Sequence, residues 1–139
     1  MSAHEPAEAF ATFERKWLLA HPEQAMVGLF VAPDARLRTV AFGTLVHELG
    51  IAAHRIHEPQ VAAAKLAWWS EELERAAQGH ARHPITQALF DEIARAADPH
   101  LWPALAIAAL NQIESSSFAS LDELLAQREP FCLAIADAE

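Results

Sequence analysis

The chain has 139 residues, a length that fits one domain built around one hydrophobic core. Hydrophobic residue types make up 53% of it and glycine only four positions, a composition that favours packed helices and argues against a sheet-rich fold. Ten Lys and Arg residues against 19 Asp and Glu residues give a formal net charge of −9, and no basic cluster suits a nucleic acid partner.

Two further classes are disfavoured by the order of the residues. No stretch reaches the ~18 uninterrupted apolar residues that a membrane-spanning helix requires, and the N-terminal residues lack the basic and apolar regions of a secretory signal. Cys132 is the single cysteine, so an internal disulfide is excluded, and its apolar neighbours predict a buried thiol. We therefore expect a cytoplasmic protein with no transmembrane segment.

Prolines divide the chain into segments of helical length, and we predict six helices. The first runs from about Pro6 to Ala20, and a loop from His21 to Pro33 follows it. The second begins near Asp34, and apolar residues recur in it at every fourth position. These recurring apolar positions are Leu37, Ala41, Leu45 and Leu49, and the helix is expected to be largely buried.

The segment 59–78 has the clearest amphipathic pattern and predicts the third helix. Its apolar stripe consists of Ala62, Leu66, Trp69, Leu73 and Ala76. Gly79 is a stop signal for this helix, and Pro84 opens the fourth. The fourth helix is predicted to carry Ile85, Leu89, Ile93 and Ala96 on one side.

The last third of the chain predicts two more helices. Asp98 is expected to cap a fifth helix that begins at Pro99 or Pro103 and runs towards Ile113. A short polar break from Glu114 to Ser117 follows it. The sixth helix is expected from Ser120, divided or kinked at Pro130. Its inward residues are predicted to be Leu121, Leu124 and Leu125. The fold class is thus an all-α bundle of about six helices in one domain, 1–139.

Two adjacent stretches resemble the squalene/phytoene synthase family. In that family a helix with a basic residue, an aromatic pair and an acidic pair leads through a glycine turn to a His-Pro that opens the next helix. The corresponding residues here are Lys65, Trp68, Trp69, Glu71, Glu72, Gly79, His83 and Pro84. Upstream, LVHELGIAAHRIHEP is similar to divergent members, including the phytoene-synthase-like factors that assist assembly of respiratory complex I.

The resemblance implies a partial isoprenoid-synthase-like fold that corresponds to the N-terminal half of the family. Its enzymes join two prenyl diphosphates head to head, using Mg²⁺ held by two aspartate-rich motifs. An ungapped alignment places Gly50 and His54, with Ile51 beside them, where the first pair of aspartates belongs. The second motif lies in the family's C-terminal half, which we expect to fall beyond Glu139. No cofactor is expected for this chain, and Mg²⁺ only if the family activity is retained.

Six polar or aromatic residues near these motifs are candidate ligand-binding residues: His47, Glu48, His54, Lys65, Trp68 and Glu72. Each also has a structural interpretation, since tryptophans commonly supply core area and lysines commonly lie at the surface. No catalytic residue is predicted. No metal site is predicted either, because His47-Glu48 lacks the second histidine of the HExxH zinc motif.

The leading functional hypothesis is a divergent, non-catalytic family member, a pseudoenzyme that binds an isoprenoid-like small molecule or a protein partner. One alternative is part of an active prenyl transferase that a separate C-terminal half completes. A second alternative is an assembly or interaction factor whose apolar surface is covered by a partner or by a second copy in a homodimer.

Overall fold

The computed structural model describes residues 4–113 and 118–139, with side chains from residue 7 onwards. These residues form helices and no strand, which confirms the predicted all-α class. None of the described helices combines the length and the apolarity needed to cross a bilayer. The described residues form eight α-helices, with a 3-10 turn at Gly28–Phe30 between the second and the third. The helices are α1 (His4–Ala20), α2 (Gln24–Val27), α3 (Arg36–His54), α4 (Pro59–Ala77), α5 (Pro84–Leu89), α6 (Glu92–Ala96), α7 (Leu101–Leu110) and α8 (Leu121–Ala138).

Helices α3, α4 and α7 surround the core. Helix α4 packs most extensively on α7, while α3 packs on α5, α4 and α1. All five residues of the predicted α4 stripe are buried, as its helical spacing indicated. Pro59 occupies the first turn of α4, where no amide donor is lost. Gly79 follows the helix with a φ of 86°, a left-handed conformation that favours glycine.

The two extra helices arise where the sequence predicted a loop and one continuous helix. Helix α2 and the 3-10 turn occupy the predicted loop and bury none of their side chains. The predicted fourth helix is divided into α5 and α6 because Asp91 starts a new helix: its Oδ1 accepts a hydrogen bond from the amide of Ala94 at 2.9 Å. Ile93 was predicted to face inward, but 63% of it is exposed.

The start of α7 also differs from the prediction. The helix begins at Leu101, and His100 occupies the capping position instead of Asp98. The carboxylate of Asp98 accepts a hydrogen bond from the amide of His100 at 3.0 Å, so it stabilises the turn that precedes the helix. The predicted polar break at 114–117 lies outside the described residues.

Helix α8 starts as predicted, with Ser120 Oγ accepting a hydrogen bond from the amide of Glu123 at 3.2 Å. It continues through Pro130 and is not divided there. The prediction of its inward face was wrong, because Leu121 and Leu125 are 67% and 57% exposed. The helix packs chiefly on α7, and Phe131 is its buried anchor. Cys132, the residue after Phe131, is exposed, which contradicts the prediction of a buried thiol.

Candidate functional site

The carboxylate of Glu72 is fully buried between α4 and the start of α5. Its Oε1 accepts hydrogen bonds from the amides of Arg82 and His83, at 2.7 and 2.9 Å, and from the hydroxyl of Thr86 at 2.6 Å. Its Oε2 accepts from the guanidinium of Arg75 at 2.5 and 3.1 Å. Glu72 therefore links α4 to the loop before α5 and to the first turn of α5.

The surroundings of Glu72 keep it ionised. Burial alone raises the pKa of this carboxyl, but the hydrogen bonds from Thr86, from the amides of His83 and Arg82, and from Arg75 outweigh that effect and lower the pKa to about 2. With both oxygens occupied by protein donors, the carboxylate holds loop and helix together and does not face a groove.

His83 lies in an aromatic cluster formed by Phe13, Trp68 and Trp69. Its ring centroid lies 4.9, 5.8 and 4.7 Å from these three rings, respectively. The Nδ1 atom accepts a hydrogen bond from the amide of Ile85 at 3.1 Å, which caps α5 and requires an unprotonated nitrogen. Burial is the main cause that lowers the pKa of His83, while Glu72 and Glu48 act in the opposite direction.

Two more of the predicted ligand-binding residues, Glu48 and Lys65, lie apart from this cluster. Glu48 is buried on α3, and its Oε1 accepts a hydrogen bond from Lys16 Nζ of α1 at 2.9 Å. On α4, Lys65 is exposed, whereas Trp68, a member of the aromatic cluster, is 40% exposed beside the buried Trp69.

A groove of about 560 Å³ lies between the end of α1, helix α3 and helix α8. Its floor on α3 is formed by Phe42, Val46 and Gly50, which are four residues apart and therefore share one helix face. Phe131 of α8 and Trp17 of α1 line its sides. We call this depression the α3 groove.

A close contact between Trp17 and Gly43 shapes one wall of the α3 groove. A Cβ atom at position 43 would lie 2.3 Å from Cζ2 of the Trp17 ring, so only glycine allows the indole to lie against α3. At Gly50 an added Cβ atom would meet no atom within 4 Å, because this position opens into the groove. Gly43 is therefore packed tightly against a neighbouring helix, whereas Gly50 faces open space.

Polar groups gather at the α1 end of the groove. His47 and His21 form an edge-to-face pair with ring centroids 5.3 Å apart, and Arg55 lines the groove beside them. Burial lowers the pKa of His47, Glu48 counteracts it, and the charges of His21, Lys16 and Arg55 lower it further. This end of the groove therefore carries more basic than acidic groups.

At the α8 side of the groove, His54 meets Arg128. The Nη1 atom of Arg128 lies 2.7 Å from Nε2 and 3.0 Å from Nδ1 of His54, and it donates to Oε1 of Gln112 at 2.8 Å. Because a guanidinium has no acceptor atom, His54 must be neutral to accept this hydrogen bond. Partial burial and then the charge of Arg128 lower the pKa of His54.

The six predicted ligand-binding residues therefore do not form one site. His47 and His54 line the α3 groove, Glu48 and Glu72 are buried in separate hydrogen-bonding networks, and Lys65 and Trp68 lie on the outer part of α4. Trp17, Phe131 and Arg55 also line the groove, although the sequence pattern did not predict them as site residues. Their convergence depends on three separate helices, and no local spacing indicated it.

The groove residues do not fit a magnesium site. The positions aligned with the paired aspartates, Gly50 and His54, both line the groove, as does Ile51, and none supplies a carboxylate oxygen. Among residues 4–113 and 118–139, no three His, Cys, Asp or Glu side chains are grouped to hold a metal ion. Comparisons of the chain with models of protein families, with curated proteins and with solved structures found no match.

Proposed function

We propose that this chain is a non-catalytic protein of the squalene/phytoene synthase type that binds an isoprenoid-like ligand in the α3 groove. The observation that carries the proposal is the groove face of α3. Gly50 and His54, at the aligned aspartate positions, border an open depression whose floor is apolar. A groove of about 560 Å³ falls in the size range of small-molecule sites.

The absence of catalysis follows from ligand chemistry. A diphosphate leaving group in this type of reaction is neutralised by Mg²⁺, which needs several oxygen ligands in octahedral array. Gly50 and Ile51 have no ligating side chain, and the imidazole of His54 is already bonded to Arg128. The groove therefore has room for an isoprenoid chain, but Glu139 is the one carboxylate among its described lining residues, too few to hold the Mg²⁺ that ionises a diphosphate.

Two measurements test this proposal. The purified chain is expected to bind geranylgeraniol, with a change in tryptophan fluorescence because Trp17 lines the groove. With Mg²⁺ and farnesyl or geranylgeranyl diphosphate, it is expected to release no diphosphate. Turnover comparable to that of an active synthase would overturn the non-catalytic assignment.

A matched pair of variants tests the location. Gly50→Leu places a side chain in the groove where an added Cβ meets no atom, so it should fold and lose geranylgeraniol affinity at least tenfold. Ala67→Leu introduces the same side chain at an exposed position of α4 and should leave affinity unchanged. Equal affinity of both variants and the parent would show that the ligand does not occupy the groove.

A second candidate function, an assembly or interaction factor, is favoured by an apolar surface around α2 and the 3-10 turn. Phe30 is 90% exposed, and Leu19, Met26 and Leu29 are exposed close to it in the chain. Apolar side chains concentrated in this way commonly mark a protein interaction site.

Light scattering tests whether the partner at this apolar surface is a second copy of the chain. The chain is expected to show a concentration-dependent increase in mass that Leu29→Ser with Phe30→Ser removes, while Ile93→Ser, an exposed apolar residue on α6, leaves it. A strict monomer at high concentration would exclude association through this surface.

A further inference from the structure

Basic side chains converge where α1 crosses α3, although the chain as a whole is acidic. Three of its ten Lys and Arg residues, Arg15, Lys16 and Arg55, line a depression of about 400 Å³ together with His47. This depression and the α3 groove share Ala20, His47, Ile51 and Arg55 along their borders. We call it the basic end of the groove.

The charges at the basic end are only partly balanced by carboxylates. Within the described residues, the guanidinium groups of Arg15 and Arg55 form no ion pair. Lys16 pairs with the buried Glu48, but half of its side chain remains exposed. His21, on the groove side, lies 3.5 Å from Glu23. Two unpaired guanidinium groups therefore remain available to an anion from solvent.

The other end of the groove is apolar, with Phe42, Val46 and Phe131 along it. Glu139 also lines the groove but is not among the residues of the basic end. The groove thus runs from an apolar floor to a cluster of guanidinium, ammonium and imidazole groups. A ligand complementary to it has an apolar chain and an anionic head.

We propose that the basic end binds the phosphate or carboxylate head of a single amphiphile, directly through Arg15, Lys16 and Arg55 and without a metal ion. The inference rests on the proposed function in one respect, namely that the α3 groove holds the apolar chain. Guanidinium groups bind phosphate and carboxylate oxygens through paired hydrogen bonds, and the nearby lysine adds charge. The ligand is a single molecule and not a membrane surface, because the net charge of −9 opposes contact with an anionic leaflet.

Binding in EDTA with three probes tests both parts separately: decyl phosphate below its micelle concentration, decanol, and inorganic phosphate. Decyl phosphate is expected to bind at least tenfold more tightly than decanol, because only it has a group for the arginines. Arg15→Gln with Arg55→Gln should remove this preference by lowering the affinity for decyl phosphate to that for decanol. Arg36→Gln, an exposed arginine at the opposite end of α3, should retain the preference and is the matched control.

The outcomes distinguish the two proposals. Equal affinity for decyl phosphate and decanol would overturn the basic-end inference and leave the apolar groove supported. Arginine-dependent binding of inorganic phosphate with no binding of decanol would support the basic end and contradict the proposed function. Binding to phosphatidylglycerol vesicles without binding of monomeric decyl phosphate would overturn the single-amphiphile inference. Circular dichroism of each variant verifies that these surface changes leave the helices intact.

Discussion

The guanidinium of Arg128 on α8 lies 2.7 Å from Nε2 of His54 at the end of α3, and this contact joins two helices that border the α3 groove. The carbonyl oxygen of Arg128 also accepts a hydrogen bond from Nε2 of Gln112 at 3.4 Å. Arg128 is thus bonded through its main chain and its side chain. The side-chain contact depends on the protonation state of His54.

This contact predicts that stability falls on mild acidification. The pKa of His54 is lower in the folded chain than its ordinary value of about 6.5, so the unfolded chain takes up a proton first as the pH drops. The free energy of unfolding should therefore decrease as the pH falls from above 6.5 towards the folded-state pKa. His47 and His83, whose pKa values are also lowered, add to this decrease.

Urea unfolding at pH 7.5 and pH 5.5 measures the effect. His54→Gln should show a smaller loss between the two pH values than the parent chain, because one of the contributing groups is removed. His57→Gln, an exposed histidine three residues further along the chain, should keep the parent's loss. The same pH dependence in all three proteins would contradict a role for the contact with Arg128.

Glu72→Gln is expected to destabilise the fold by about 3 kcal/mol near pH 7, since a carboxyl whose pKa is about 2 instead of 4.5 stabilises the folded state by this order of magnitude. Glu71→Gln changes the exposed neighbour and should cost less than about 0.5 kcal/mol. Urea unfolding monitored by circular dichroism gives both values.

The contribution of Glu72 also has a defined pH range. Because its folded pKa is depressed, the stabilisation is present above about pH 4.5 and is lost as the pH falls towards 2. An acid titration of Glu72→Gln should lack this component. If Glu72→Gln lost as much stability as the parent chain between pH 4.5 and 2, the buried carboxylate would not be the group that causes the loss.

Two glycine variants on α3 are expected to change stability in opposite directions. Gly43→Ala places a Cβ atom 2.3 Å from the Trp17 ring, so the indole must shift away from α3, at a cost of roughly 1–3 kcal/mol. Gly50→Ala meets no atom within 4 Å and should stabilise the helix by about 0.5–1 kcal/mol through its better helix propensity. Thermal unfolding of the two variants tests the contact, and equal effects would contradict it.

The exposure of Cys132 predicts that its thiol reacts in the folded protein. A colorimetric thiol reagent should modify one group per chain without denaturant, because α8 directs this side chain to solvent. Cys132→Ser should abolish the reaction and leave the unfolding transition within about 0.5 kcal/mol of the parent. Reaction only after denaturation would restore the sequence-based expectation of a buried thiol.

The comparison of α4 with α8 shows which parts of the fold were predictable. The apolar residues of α4 have one helical period, so Trp69 and Leu73 were assigned to the core correctly. Helix α8 has apolar residues on several sides, and a local pattern does not indicate which side meets α7. Phe131 is buried, whereas Leu121 and Leu125 are exposed.

In the candidate site, too, some features were predictable from the sequence and others were not. His47 and His54 were both ligand-binding candidates, and the structure puts both in the α3 groove. Glu72 was a ligand-binding candidate, yet its oxygens are occupied by Thr86, by Arg75 and by two loop amides. The capping role of His83 had a local signal, since a polar residue directly before Pro84 is a common helix start.

The sequence by itself determined the helical class, the amphipathic α4 and most helix starts, because propensity, capping and a period of 3.6 residues act between positions a few residues apart. Tertiary structure alone decided that Trp17, Gly50, Arg55 and Phe131 border one groove. These residues lie on α1, on α8, and on or directly after α3, and their distances depend on the directions that the connecting loops impose. It also decided that Glu72 turns inward, because its partners come from a loop ten or more residues away.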